Sequence, residues 1–182
     1  MDYMVQNSDI EILRKAGVSE ADIQHCTRVS EKALEIARRT GADLDMELIG
    51  RGALFHDLGK AKTHAIEHGR IGADLGKELG LPEAITDIME KHIRGGLTAD
   101  EAKELGLPAK DYALETLEEK IVIYADRLVD IITDGIVEIN DEREAETRFK
   151  EILKENIRYG KNDITTRRYY GYHDEIQGFL AK

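Results

Sequence analysis

Apolar residues recur at three- and four-residue intervals along almost the whole chain, and no alternating segment of useful strand length interrupts them. That periodicity predicts an all-α fold. Ser8 is placed to cap a short helix ending at Gly17, and Ser19 to cap a long one that Gly41 stops. Asp45 heads a third helix, which runs to His56-Asp57 and breaks at Gly59. A fourth is expected from about Ile66 to Leu79, and Pro82 opens a fifth at its first-turn position. Thr98 and Glu101 have the spacing of a capping box. Leu114–Ile132, Asp141–Tyr159 and Thr166–Leu180 complete the helices. With 182 residues and no repeat or low-complexity linker, the chain reads as a single domain: a core over about 18–135 and a helical extension over about 136–182.

Charge narrows the partners. The net charge of −11 argues against a duplex nucleic-acid binder, which needs a basic face for phosphates, and against docking on an anionic membrane. No apolar run approaches a membrane span of about 18 residues, and the first residues lack the basic-then-apolar order of a signal peptide. The single cysteine, Cys26, has no internal disulfide partner. A cytoplasmic location is the expectation, and the tyrosine-rich tail (Tyr169, Tyr170, Tyr172) permits a homodimer.

The informative anomaly is polar residues on apolar stripes. His25 shares a helical face with Val29 and Ile36, His68 with Gly72 and Leu75, His92 with Ile85 and Ile88, and Asp126 with Val122 and Val129. His56-Asp57 ends the helix that carries Leu48 and Ala53. One inward polar residue is ordinarily a hydrogen-bonded core group, but a buried carboxylate needs a partner because desolvating its charge costs several kcal/mol, of order ~5. No Lys or Arg lies on the same stripes to pair with Asp57 or Asp126. Metal answers that need better: imidazole with carboxylate suits Mn, Fe, Co, Ni or Zn. Six protein ligands exceed the usual catalytic mononuclear set, whereas two ions sharing a carboxylate would use all six and leave positions open for water.

The ordered set His25, His56-Asp57 and Asp126, with His56-Asp57-Leu58-Gly59-Lys60 at its centre, resembles the HD superfamily of metal-dependent phosphohydrolases and its HDxGK variant. Glu67-His68-Gly69-Arg70-Ile71-Gly72-Ala73 is similar to a segment of the bacterial HD-type diadenosine tetraphosphate hydrolases. Lys91-His92-Ile93-Arg94-Gly95-Gly96 falls where that group carries H-T-T-G, with Ile93-Arg94 in place of the two threonines. The resemblance covers roughly residues 20–132. It implies an HD-type helical bundle holding two divalent transition-metal ions on His25, His56, Asp57, His68, His92 and Asp126, with Asp57 bridging them. It also implies a metal-activated water attacking a small phosphorylated substrate, a nucleotide above all, with Asp57 and Lys60 in the catalytic role.

No phosphate-binding loop is present, since neither Gly95-Gly96 nor Gly69-x-x-Gly72 precedes a Lys-Ser/Thr pair. Bound cations would invert the local field of an acidic protein. Lys60, Arg94, Arg127, Arg28 and His64 are the candidate substrate contacts, each weighed against an ordinary surface role. The alternatives are a mononuclear HD-type 5′-nucleotidase using only His25, His56, Asp57 and Asp126, and a non-catalytic metal- or nucleotide-binding module.

Overall fold

The computed structural model describes residues 2–182, and among them every regular element is helical. The first five helices are α1 (Asn7–Ala16), α2 (Glu20–Thr40), α3 (Met46–Phe55), α4 (His68–Glu78) and α5 (Glu83–Lys91). They continue as α6 (Ala99–Glu104), α7 (Leu117–Asp134), α8 (Glu142–Thr147), α9 (Phe149–Glu155), α10 (Ile157–Gly160) and α11 (Asp163–Leu180). Short 3₁₀ turns follow α3 at Leu58–Ala61 and α5 at Ile93–Gly95.

Most boundaries have the chemistry the sequence announces. Ser19 accepts from the Asp22 N–H, Asp45 from Leu48, and Thr98 with Glu101 forms a capping box. Others move. Ser8 lies inside the first turn of α1, whose cap position is Gln6, and Pro82 takes the cap of α5 rather than its first helical position. The fourth helix starts at His68 instead of Ile66, after compact turns. The seventh starts three residues late, where Thr116 and Glu119 form a second capping box that competes with the apolar periodicity at Leu114.

The expected helix Asp141–Tyr159 is broken into α8, α9 and α10. Thr147 turns its hydroxyl back to the Arg143 carbonyl (3.0 Å), and Arg148 leaves helical geometry to donate to the Glu138 carbonyl (2.9 Å). Asn156 is extended between α9 and α10, as a residue that competes for backbone hydrogen bonds favours.

Helix α2 packs against α3 and α7 and is shared by two apolar clusters. One gathers Val29, Ala33 and Ile36 with Ile49, Val122 and Leu128, and takes Phe149, Ile152, Tyr159, Tyr169 and Ile176 from the C-terminal helices. The other gathers Ile23, Cys26, Leu54, Phe55, Leu58, Ala73 and Met89. Each buried Val, Leu, Ile, Phe or Met among them contributes about 1.5–3 kcal/mol. The polar residues of interest sit between the clusters: His25 precedes Cys26 of one and faces the side of Val29 in the other, and His56 follows Phe55. No described helix is long and apolar enough to cross a membrane.

Candidate metal centre

His25 projects from the second turn of α2 and Asp126 from the middle of α7. The other four side chains stand at helix ends: His56 caps α3, Asp57 begins the following 3₁₀ turn, His68 begins α4 and His92 caps α5. One glycine makes this possible. A Cβ at Gly59 would land on the His68 carbonyl oxygen and 2.8 Å from the Gly72 nitrogen, so only glycine lets α4 approach the turn that carries Asp57.

All six side chains converge, and their arrangement about Asp57 is two-sided. Asp57 Oδ2 lies 3.3 Å from His56 Nε2 and 3.8 Å from His25 Nε2. Its other oxygen, Oδ1, lies 3.1 Å from His68 Nε2 and 3.3 Å from His92 Nε2. Asp126 Oδ1 closes the first side at 2.9 Å from His25 Nε2 and 3.4 Å from His56 Nε2.

Three of the rings are oriented by the backbone three residues earlier. His56 Nδ1 donates to the Ala53 carbonyl (2.6 Å), His68 Nδ1 to Ala65 (2.8 Å) and His92 Nδ1 to Met89 (2.6 Å). A carbonyl only accepts, so each Nδ1 carries the proton and each neutral ring aims an Nε2 lone pair into the cluster. His68 Nε2 and His92 Nε2 then face each other across 2.9 Å, lone pair to lone pair. His56 Nε2 is fully buried without a hydrogen-bond partner. A divalent cation fits all of these facts at once. Three sets of side chains are close enough to hold an ion: His25–His56–Asp57, Asp57–His68–His92 and His25–Asp126–Asp130.

Protons take part of that role in the metal-free chain. Burial opposes charging His56, but the Asp57 and Asp126 carboxylates raise its pKa well above the ordinary imidazole value. Burial would likewise raise Asp57, yet the charge on His56 and the imidazoles gathered around it hold its pKa well below the usual carboxylate range. His92 is lowered by burial. A cation entering the cluster displaces the His56 proton.

The candidate substrate contacts divide. A cleft of about 390 Å³ opens on the cluster and is lined by Lys60, His64, Arg94 and Arg127. Contrary to the expectation that no Lys or Arg pairs with Asp57, Lys60 one turn on places Nζ 2.9 Å from Asp57 Oδ2, and its pKa is raised because the Asp57 charge and hydrogen bond outweigh burial. His64 Nε2 is 3.1 Å from Asp22 Oδ2. Arg28 stands apart, in a separate groove with Glu31, Lys32, Glu142 and Arg143. Cys26 is fully buried, and burial pushes its thiol up to about 12, so it packs rather than reacts. His173 also packs, stacked on Phe149 with Nδ1 2.8 Å from the Tyr124 hydroxyl.

Three cleft residues escape the sequence reading: Asp130, Lys161 and Tyr169. Asp130 sits one turn beyond Asp126 on α7, a spacing that could have flagged it, and its carboxyl is raised to about 6 by burial and the Asp126 charge. Lys161 lies in the turn between α10 and α11, where nothing in the local sequence marks it, and Tyr169 on α11 was read only as part of a tail that permits a homodimer.

Three known proteins illustrate what this chain is similar to. The protein MJ0778 of Methanocaldococcus jannaschii, itself uncharacterized, is 44% identical over 165 residues, 89% of this chain and 91% of that one. A tRNA (cytidine(56)-2′-O)-methyltransferase of Thermoplasma volcanium is 41% identical over 119 residues, 65% of this chain but only 35% of the relative. The HD domain of the L. monocytogenes phosphodiesterase PgpH, solved with cyclic-di-AMP, superposes with a TM-score of 0.61 at 16% identity, covering 97% of this chain and 98% of that one. The HD domain profile matches residues 22–129, the stretch that holds all six converging side chains, and the chain belongs to the HD domain family.

Proposed function

We propose that this chain is a metal-dependent phosphohydrolase acting on a nucleotide or similar phosphate ester or anhydride at a dinuclear centre. The observation that carries the reading is the division of four Nε2 atoms between the two oxygens of Asp57, His25 and His56 on one and His68 and His92 on the other. A carboxylate so placed suits a bridge between two ions, with Asp126 completing the first side. The fold likeness to a domain solved with a cyclic dinucleotide favours a nucleotide substrate.

Divalent ions held there supply an activated water and draw charge from the phosphoryl oxygens. The chain's own residues do the rest. The three carbonyl-pinned imidazoles keep their lone pairs fixed, so the site needs little reorganisation. Lys60 stays protonated at neutral pH and places a cation beside Asp57, where it can accept the negative charge gathering on the phosphoryl group. His64, held by Asp22 at the cleft, stands where a leaving group could receive a proton.

Metal content per chain of protein purified without chelator, for wild type and His92→Ala, tests this first. About two ions falling to about one or fewer, with hydrolysis of a phosphodiester or nucleotide panel lost in parallel, is the expected result. One ion in both proteins would favour the mononuclear nucleotidase. Bound metal without turnover of any panel member would overturn the hydrolase reading.

A further inference from the structure

The cleft carries a second group of charged side chains. Beyond the metal-ligating side chains it is lined by Arg94, Arg127 and Lys161, with Tyr169 between them and the apolar core. Three cations crowd one wall, and two of them, Arg94 and Lys161, have no carboxylate within 4.0 Å among the described residues. Arg127 is nine-tenths buried: its guanidinium lies 4.9 Å from the Tyr169 ring centroid and donates to the Tyr169 hydroxyl at 3.3 Å, and its Nε has no partner. An unpartnered buried guanidinium N–H is costly unless something else satisfies it.

The backbone points the same way. Arg94 (φ 48°) and Lys161 (φ 63°, ψ −68°) are the only non-glycine residues with positive φ among the described residues, and both line this wall. Lys161 is the centre of a γ-turn closed by the Asn162 N–H on the Gly160 carbonyl (2.8 Å), a strained form. Such residues cost about 1–3 kcal/mol each and persist only where their surroundings over-determine them. Both do here. Thr166 donates to the Gly160 carbonyl (3.0 Å), and Gly160 fits so closely against Leu153 and Thr166 that no side chain could replace its hydrogen. Arg168 donates to the Arg94 carbonyl (2.9 Å) and Tyr172 to that of Gly95 (2.6 Å).

Resting on the hydrolase reading above, we propose that Arg94, Arg127 and Lys161 bind a second phosphate of the substrate, which makes the chain selective for nucleotides with a phosphate group beyond the reacting one. The reacting phosphate lies on the metal-ligating side chains and the second on the basic wall, where guanidinium forks and an ammonium match its oxygens. Burial and the charges of Arg127 and Arg94 lower the Lys161 pKa, a strain that a bound polyanion relieves.

The test compares adenylyl-adenosine with its 5′-phosphorylated form, both made with a phosphorothioate bridge to slow cleavage, binding to manganese-loaded protein by calorimetry. Wild type should bind the two-phosphate ligand at least about tenfold more tightly. Lys161→Gly should reduce that preference to about threefold or less, and Lys161→Arg should keep it. Glycine also relieves the γ-turn, so the Lys161→Gly melting midpoint should equal or exceed that of wild type, which separates lost recognition from lost folding. A wild-type preference below threefold, or an undiminished one in Lys161→Gly, overturns the proposal. A preference that behaves as expected in a protein that hydrolyses no phosphoester would leave the second-phosphate site standing and remove the hydrolase. Hydrolysis without the preference would do the reverse.

Discussion

The two ends of the cleft are built on opposite plans. At the metal end the functional atoms are fixed by ordinary helix geometry: His56, His68 and His92 each donate Nδ1 to a carbonyl three residues earlier, and the rings follow from where the helices start and stop. At the basic end Arg94 and Lys161 hold positive φ, and their positions depend on side chains of α11 that lie 70 residues or so from Arg94 in sequence. The first plan fixes three of the six converging side chains through contacts three residues away, while His25 and Asp126 meet from distant parts of the sequence. The second gives a wall whose position depends on how the C-terminal helices dock.

Gly59→Ala attacks the first plan where it has least slack and carries the largest expected effect. The new methyl would overlap the backbone of His68 and Gly72, and backbone cannot rotate away. A cost of about 1–3 kcal/mol is expected, a drop in melting midpoint of roughly 2–12 °C for a chain of this size. Because the displaced segment carries His68, metal content should fall with it. A variant with wild-type stability and full metal content would show that the α4 contact is not what positions the second side of the centre.

Tyr172→Phe probes the second plan. It removes the hydroxyl that donates to Gly95 next to Arg94, leaving that carbonyl short of a partner at a cost of about 1 kcal/mol. Metal per chain should stay at the wild-type value, while KM for a two-phosphate nucleotide rises by roughly threefold as Arg94 loosens. If metal content fell instead, the two ends would be mechanically one unit and the contrast between them would be lost.

This contrast also decides what could be read from sequence. Four of the six converging residues, His25, His68, His92 and Asp126, were legible as polar side chains on otherwise apolar stripes, and His56-Asp57 as the polar end of an apolar helix. Lys161 was not legible, since a lysine at positive φ has no sequence signature and its γ-turn exists only through the packing of Gly160 on Leu153 and Thr166. The unbroken helix expected over 141–159 failed because Arg148 and Asn156 leave helical backbone geometry, Arg148 with its side chain on the Glu138 carbonyl and Asn156 extended. Arg28 shows the converse error. Spacing along α2 put it near His25, but the helix turns it into the groove with Glu142 and Arg143.

The smallest expected effect concerns the clamp between the helix leading to His92 and the helix carrying Asp126. Glu119, buried at the start of α7, accepts from Lys91 Nζ at 2.8 Å and from the backbone N–H groups of Glu115 (2.6 Å) and Thr116 (3.1 Å). Burial works to raise its pKa, but the Lys91 bond and the backbone donors prevail and hold it below its ordinary 4.5. A carboxylate lowered on folding adds stability that is fully present above the unfolded value and is lost as pH falls through the folded one. Glu119→Gln keeps an acceptor for the backbone N–H groups and removes the charge together with the oxygen that accepts from Lys91. Its melting midpoint should therefore lie below wild type by no more than about 2 °C at pH 7, and the gap should close as the pH drops below about 4.5. A gap that is constant from pH 7 to pH 3 would mean that the Lys91 pair contributes nothing as a charge pair, and that packing alone sets His92 against Asp126.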